Sequence, residues 1–592
     1  MSDQGELSIL LLRLWRHISR RRRMQLVGLF GLMLVGTVAE LLSLGMVLPF
    51  LGALTAPERI FQHSLAQPLI TMLDLTSPQQ LLLPLTVLFG GAAVISGVAR
   101  VALLWCQTHL GNRVGVDLGS EAYRRTLYQQ YAVHTSRNSS EVVAALMNKI
   151  STIVYFVIIP FLQLVSSALI VTIIVAFMVL VDPKLTGMSF LGFGIIYMAV
   201  AYASKRKLVR DSERVTEGQR HVAQLVQEGL GGIRDVLIDG LQETYFRIYH
   251  KADSRLRRAL SNIAFLGGAP RPVIEAFGLV LIGWLAFLMS KRPEGMVAAI
   301  PVLGALALGS QRLLPVVQQG YLGWSSMLGG RGSLRDVLEL LEQPLPAYSR
   351  LPPPAPIPFS QQITLRDLQF RYHDEGSWVL SGINLQIPRG SRIGFIGATG
   401  SGKSTVLDIL MGLLIPTSGE LSVDGVAIRA DNQRAWQAHI AHVPQTIYLA
   451  DATVAENIAF GVPTSSIDRE RLRQAARRAQ IAETIEGWAE GYDTFVGERG
   501  VRLSGGQRQR IGIARALYKQ SDVIVFDEAT SALDNETERA VVDAIDSLGG
   551  DLTVIIVAHR LTTLRSCDQI VELRAGMVQR VGTYQLMVEQ AV

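Results

Sequence analysis

Residues 397–405 run Gly397, Ala398, Thr399, Gly400, Ser401, Gly402, Lys403, Ser404, Thr405. This is the spacing G-x-x-x-x-G-K-[ST], in which glycines let successive backbone N–H groups close on phosphate oxygens, a lysine adds charge, and a hydroxyl faces magnesium. The chemistry on offer is nucleotide binding, and alone it specifies nothing more. A second group closes the apolar run Val523, Ile524, Val525, Phe526, which ends in Asp527 and Glu528. Ligand sites of open α/β sheets lie at such carboxyl ends, although a solvated strand end explains an Asp-Glu pair equally simply. His559 closes another run, 553–558, and a lone histidine is commonly just a satisfied polar residue. Finally, Ser504, Gly505, Gly506 and Gln507 precede a segment with helical apolar spacing at Ile511, Ile513, Ala514 and Leu517. The free N–H groups and positive dipole end of such a helix suit an anion; the plainer reading is a capped helix start.

The string Leu503, Ser504, Gly505, Gly506, Gln507, behind the phosphate loop by about a hundred residues, resembles the signature sequence of the ATP-binding cassette (ABC) superfamily. The resemblance covers nearly the whole chain. It implies that ATP and Mg²⁺ are bound, that Asp527 helps to hold the metal through water, and that Glu528 polarises the attacking water, as hydrolysis requires of a base within reach. It also implies that His559 contacts the γ-phosphate and that Asp534 belongs to the loop following the Asp-Glu pair. Gln445 matches a glutamine that reaches Mg²⁺ and also meets the membrane domain, and Ser404 is the magnesium-facing hydroxyl. Tyr372, 25 residues before Gly397, matches the aromatic that stacks on adenine. Every one of these motif positions is intact. In the family, ATP lies between the phosphate loop of one subunit and the signature of the other, so two copies are expected to act as a dimer.

These groups need elements to hold them. The 592 residues are 49% hydrophobic, with the excess before residue 325. Six apolar segments, near 26–54, 81–106, 153–181, 185–203, 263–289 and 296–324, are long enough for a bilayer, which takes roughly 20 residues. The net charge of +6 is concentrated in alternate loops, with Arg13, Arg16, Arg20, Arg21, Arg22 and Arg23 before the first segment. That is the positive-inside pattern of a multi-pass membrane protein with both termini cytoplasmic, and it argues against a nucleic-acid partner. The run 26–54 is too long for a cleaved signal peptide. Two cysteines far apart, Cys106 and Cys567, suggest neither a disulfide framework nor a metal site. Seven prolines in 344–360 exclude a continuous helix and mark a linker. The expected architecture is an α-helical membrane domain over 1–343, with six transmembrane helices and long cytosolic extensions, and an α/β nucleotide-binding domain over 361–592.

The sequence Gly497, Glu498, Arg499, Gly500 and the fusion of both domains resemble exporters of the superfamily. The stretches 40–50 (ELLSLGMVLPF), 137–141 (RNSSE), 231–239 (GGIRDVLID) and 312–315 (RLLP) resemble in part the exporters that include PglK-type flippases of lipid-linked oligosaccharides. An amphipathic lipid-linked cargo and a bacterial inner-membrane location are what this implies. No peptidase domain precedes the first helix, against a cargo-processing peptide exporter; lipid A-type flipping, drug export and a heterodimer remain open. Arg100, Arg271 and Arg312 lie within or at the ends of apolar segments, toward the cytoplasmic half. They form either a basic vestibule for a pyrophosphate headgroup or internal pairs with Glu40 or Glu275, or they snorkel to the interface.

Overall fold

The computed structural model describes residues 3–64, 66–137, 142–143, 145–181, 183–269, 271–273, 313–352, 354–373, 375–528, 552–558 and 561–589, with scattered positions in 275–287 and 539–545. Arg312, Asp534, His559, most of the sixth expected segment and part of the fifth lie outside the described residues. The chain divides into two compact units, Met1–Gln129 with Arg137–Leu345, and Gln130–Ser136 with Pro346–Val592.

The first unit is helical. It begins with α1 (Asp3–His17), α2 (Arg20–Gly45) and α3 (Val47–Thr55). The break at Met46 has a local cause: Pro49 lacks an N–H and its ring conflicts with the carbonyl of Gly45, four residues back. Next come α4 (Leu82–Leu127), then the short α5 (Tyr131–Ser136), which belongs to the second unit, and α6, the span Ala145–Leu180, which holds π-turns at Ala145–Lys149 and Val154–Ile158. They are followed by α7 (Pro183–Gly231), α8 (Ile233–Ile238), α9 (Gln242–Gly268) and α10 (Arg331–Leu341). Among the described residues three helical spans are long and apolar enough to cross a membrane: Arg20–Thr55, Pro78–Leu127 and Ala145–Leu180. α4 and α7 continue well past their apolar stretches, which matches the long polar extensions expected from sequence.

The helices of this unit close on a core formed by one stripe from each of α1, α2, α4, α6 and α10, including Leu14, Met33, Val114, Val157 and Leu338. Small residues let backbones approach: a Cβ on Gly115 of α4 would stand 2.4 Å from Val154 Cγ2. A buried charge is satisfied inside the same bundle. Glu40, 2% exposed, accepts hydrogen bonds from Ser96 Oγ and from Arg100, whose Nε lies 3.0 Å from the carboxylate.

The second unit holds two sheets. An antiparallel sheet has the order β2 (Leu380–Pro388), β1 (Gln362–Phe370), β4 (Ser418–Val423), β5 (Val426–Ala427). The larger sheet has the order β10 (Met577–Gly582), β9 (Gln569–Arg574), β3 (Arg392–Ile396), β8 (Thr553–Val557), β7 (Val523–Asp527), β6 (Ile440–Val443), parallel except for β10. Val523, Ile524, Val525 and Phe526 are all at most 1% exposed, because a central parallel strand is covered on both faces. Two helices of this unit carry site residues, α11 (Lys403–Leu410) after β3 and α12 (Gly505–Tyr518) before β7. α5 belongs to this unit although both of its flanks belong to the first, and Ala132 packs against the core around β1 and α11.

Candidate functional site

β3 delivers the chain at its carboxyl end into the loop 397–402, and α11 starts at Lys403. The loop is possible only with glycine at its sharpest point. Gly397 has φ +147°, and a Cβ there would meet Leu573 O at 2.2 Å and Ser401 Oγ at 2.7 Å. Gly402, the residue before α11, is left-handed with φ +99°. Lys403 Nζ folds back to donate to Gly397 O at 2.8 Å and Ala398 O at 3.1 Å, holding the loop in a ring around its own cation. Ser401 Oγ is buried with no hydrogen-bond partner among the described residues. A backbone cradle at a helix start, a lysine at its centre and an orphan hydroxyl fit the phosphates of a nucleotide. ATP bound here would supply the γ-phosphoryl group that passes to water with ADP as the leaving group; the chain supplies the cradle, the charge and the carboxylates.

Neighbouring strands bring those carboxylates in. β7 lies two strands from β3, across β8, and ends on Asp527, so Asp527 and Glu528 leave the sheet at the same carboxyl edge as the loop. Glu528 holds a strained left-handed backbone, φ +47°, rare for a residue with a Cβ and typical of functional positions. Its Oε2 accepts from Gln445 Nε2 at 2.8 Å, and Gln445 follows β6, the strand beside β7. The structure thus brings Gln445 and Glu528 together. Burial raises the Asp527 pKa, and the charge of Glu528 raises it further, while Lys403 opposes both. The hydroxyl, amide and carboxylate oxygens of Ser404, Gln445 and Asp527 are the donor types that an oxygen-loving cation such as Mg²⁺ takes, with water and phosphate oxygens completing its shell. Tyr372 is half exposed, with its hydroxyl 3.4 Å from Thr405 Oγ1 and its ring edge-on to Phe370 at 5.0 Å. An exposed ring tethered to the phosphate loop is free to take a planar base on its face.

The turn 504–507 is a capping box. Ser504 Oγ accepts from Gln507 N at 3.2 Å, and the Gln507 side chain accepts from Ser504 N at 2.8 Å. Among the described residues no hydrogen bond joins this turn to the phosphate loop of the same chain.

Two residues near the phosphate loop escaped sequence reasoning. Asp408, on α11, is pushed up to about 6, first by burial and then by the charge of Asp527. A signal existed, since Asp408 interrupts an otherwise apolar stretch of a short helix. Tyr131 of α5 is weakened as an acid by burial and by Asp408, Tyr372 and Asp527 around it; no local pattern could place it there. The high Asp408 pKa has a consequence for stability. The folded state holds this proton more tightly than the unfolded chain, so stability falls as pH rises from about 4 to about 6. Asp408→Asn is expected to remove that slope in thermal melts of the nucleotide-free protein, its advantage over wild type growing through this window and constant above it. Parallel melting curves for the two proteins across the window would show that Asp408 titrates normally.

Of the arginines in apolar segments, Arg100 is committed to Glu40. Arg271 pairs with Glu275 one turn away, Nε to Oε1 at 2.7 Å, with both side chains about half exposed.

A phosphate-loop ATPase unit joined to a helical membrane unit defines an ATP-driven membrane transporter. Residues 380–531 match the family described as ABC transporter, and residues 28–290 match the ABC transporter transmembrane region. The ATP-dependent lipid A-core flippase of Methylococcus capsulatus is 30% identical over 539 residues, 89% of this chain and 87% of its own. That of Chromohalobacter salexigens is 34% identical over 396 residues, 66% of each chain. Among solved structures, a bacterial Atm1-family ABC exporter with ATP bound matches the fold with a TM-score of 0.76 at 22% identity, over 96% of each chain. The chain belongs to the ABC transporter family, with the fused membrane and ATPase domains of an exporter. It is an integral membrane protein that binds ATP and couples its hydrolysis to transport.

Proposed function

We propose that two copies of this chain form a flippase that moves an amphipathic, glycan-bearing lipid, a lipid-linked oligosaccharide or a close relative, across a bacterial inner membrane with both termini cytoplasmic. Each nucleotide, with Mg²⁺ near Ser404, Gln445 and Asp527, lies between the loop 397–405 of one copy, with Tyr372 on the adenine, and the turn 504–507 of the other. Glu528 polarises the water, His559 contacts the γ-phosphate, and Asp534 belongs to the loop that follows the Asp-Glu pair. The observation that carries the lipid reading is similarity over nearly the full length to relatives named as lipid A-core flippases. The oligosaccharide refinement is supported by stretches 40–50, 137–141, 231–239 and 312–315.

Arg271 and Arg312 are the candidate contacts for the cargo's phosphates. Arg271 with Glu275 forms a half-exposed pair on a segment of apolar composition, a costly arrangement unless it faces a cavity or ligand. Arg100, forked onto buried Glu40, is better suited to fixing the position of α4 against α2. Replacing Arg271 and Arg312 together by glutamine is expected to lower polyprenyl-pyrophosphate glycan flipping in proteoliposomes by about tenfold, with basal ATP hydrolysis retained. Undiminished flipping would leave both arginines structural. Flipping of a lipid A-type amphiphile but not of the polyprenyl substrate by the intact protein would reassign the cargo.

A further inference from the structure

α1, the start of α2 and the part of α6 around its second π-turn wall a groove of 560 Å³ in the membrane unit. Met33 and Ile158 are buried in it, while Trp15, Val27 and Phe30 remain 41, 68 and 44% exposed, and Ser8 is the single polar residue of the described lining. α1 carries a second apolar face because Leu7, Leu10 and Leu14 are spent on the core, leaving Leu12 and Trp15 to point elsewhere. On helices that span a membrane, an exposed apolar surface of this kind faces lipid chains.

The arginine run beside this groove is sorted by geometry. Arg13 pairs with Glu342 and Arg22 with Asp117, so both charges are committed inward. Arg23 turns the other way. Its guanidinium stands 5.5 Å from the centre of the Trp15 ring, and it is clamped there by donating through Nε to Ile18 O at 2.9 Å and through Nη2 to Arg16 O at 3.0 Å. The remaining donors of its planar fork are available. Among the described residues no carboxylate pairs with Arg20, Arg21 or Arg23. An apolar slot therefore ends at a fixed, unneutralised cation, with two further exposed cations beside it. Tryptophan and arginine in this arrangement mark the headgroup level of a bilayer.

We propose that this groove binds an anionic phospholipid of the surrounding membrane, with one acyl chain along Trp15, Val27 and Phe30 and the phosphate on Arg23. Arg20 and Arg21 add to the field that selects a negative headgroup. The occupant is a bilayer lipid rather than the transported molecule because the walls offer no polar side chain but Ser8 to read a glycan. Between Leu26 and Met33 the groove extends roughly 10 Å along α2, enough for part of one chain.

The test uses the full chain in detergent and phosphatidylglycerol with a photoreactive group in one acyl chain, against phosphatidylcholine with the same chains. Labelling is expected on peptides carrying residues 8–33 and 157–165, with phosphatidylglycerol favoured by about fivefold. Arg23→Gln is expected to abolish that preference while acyl labelling persists, and Val27→Trp, which fills the slot, to abolish labelling by both lipids. ATP hydrolysis reports that each variant is folded. Should Arg23→Gln fail that check, Arg23→Lys serves, keeping the charge but not the double carbonyl clamp, with a reduced preference expected. Equal labelling by the two lipids in the wild type, labels confined to other segments, or an undiminished preference without Arg23 would overturn the proposal. So would displacement of the phospholipid by a polyprenyl-pyrophosphate glycan, which would make the groove a cargo site.

Discussion

Glu528→Gln is expected to bind ATP and hydrolyse it at a rate lower by about 10²–10⁴-fold, the contribution of a positioned general base. The phosphate cradle is made by loop backbone and Lys403, neither of which the substitution touches. The side chain keeps its shape, and the amide oxygen can still accept from Gln445 Nε2. What is lost is the negative charge that orients and polarises water. A secondary effect follows from electrostatics: the Glu528 charge is one of the causes that raise the Asp527 pKa, so its removal makes Asp527 easier to ionise and a better partner for a cation. Nucleotide affinity, measured with a fluorescent ATP analogue, is thus expected to hold or improve while turnover collapses. Turnover near wild type in the purified variant would remove Glu528 from its role.

A mixture of Lys403→Ala and Ser504→Arg chains is expected to regain hydrolysis that neither chain shows alone. Lys403→Ala removes both the charge at the centre of the loop and the two hydrogen bonds that hold Gly397 and Ala398 in place. Ser504→Arg destroys the capping box at the start of α12 and puts a bulky side chain where the partner's phosphates are proposed to lie. If each nucleotide is shared between two copies, a mixed dimer holds one intact site and one doubly broken site. Equal mixing makes half the dimers mixed, so recovery approaches roughly a quarter of wild-type activity. Failure of any mixing ratio to restore hydrolysis would sink the shared-site arrangement.

What the sequence determined by itself is everything whose physics is local. The loop 397–405 is legible because its glycines and lysine act through the backbone within one turn of each other, and the structure shows the left-handed glycines where the motif requires them. The apolar run 523–526 is legible as a doubly covered strand because burial on both faces leaves no polar alternation, and 504–507 as a helix start because its capping bonds span three residues. The linker prolines act through their own missing N–H groups. Tertiary structure alone decided the rest, because it depends on which distant side chains packing brings together. The choice between a vestibule and an internal pair at Arg100 turned on Glu40, sixty residues away on another helix. That Gln445 holds Glu528 follows from the adjacency of β6 and β7, which are 83 residues apart at those positions. Asp408 became a weak acid because packing buried it and, as a smaller cause, set the charge of Asp527 nearby. The sorting of consecutive arginines into inward pairs and a clamped rim cation depended on the crossing of α1, α2 and α4, which no spacing rule encodes.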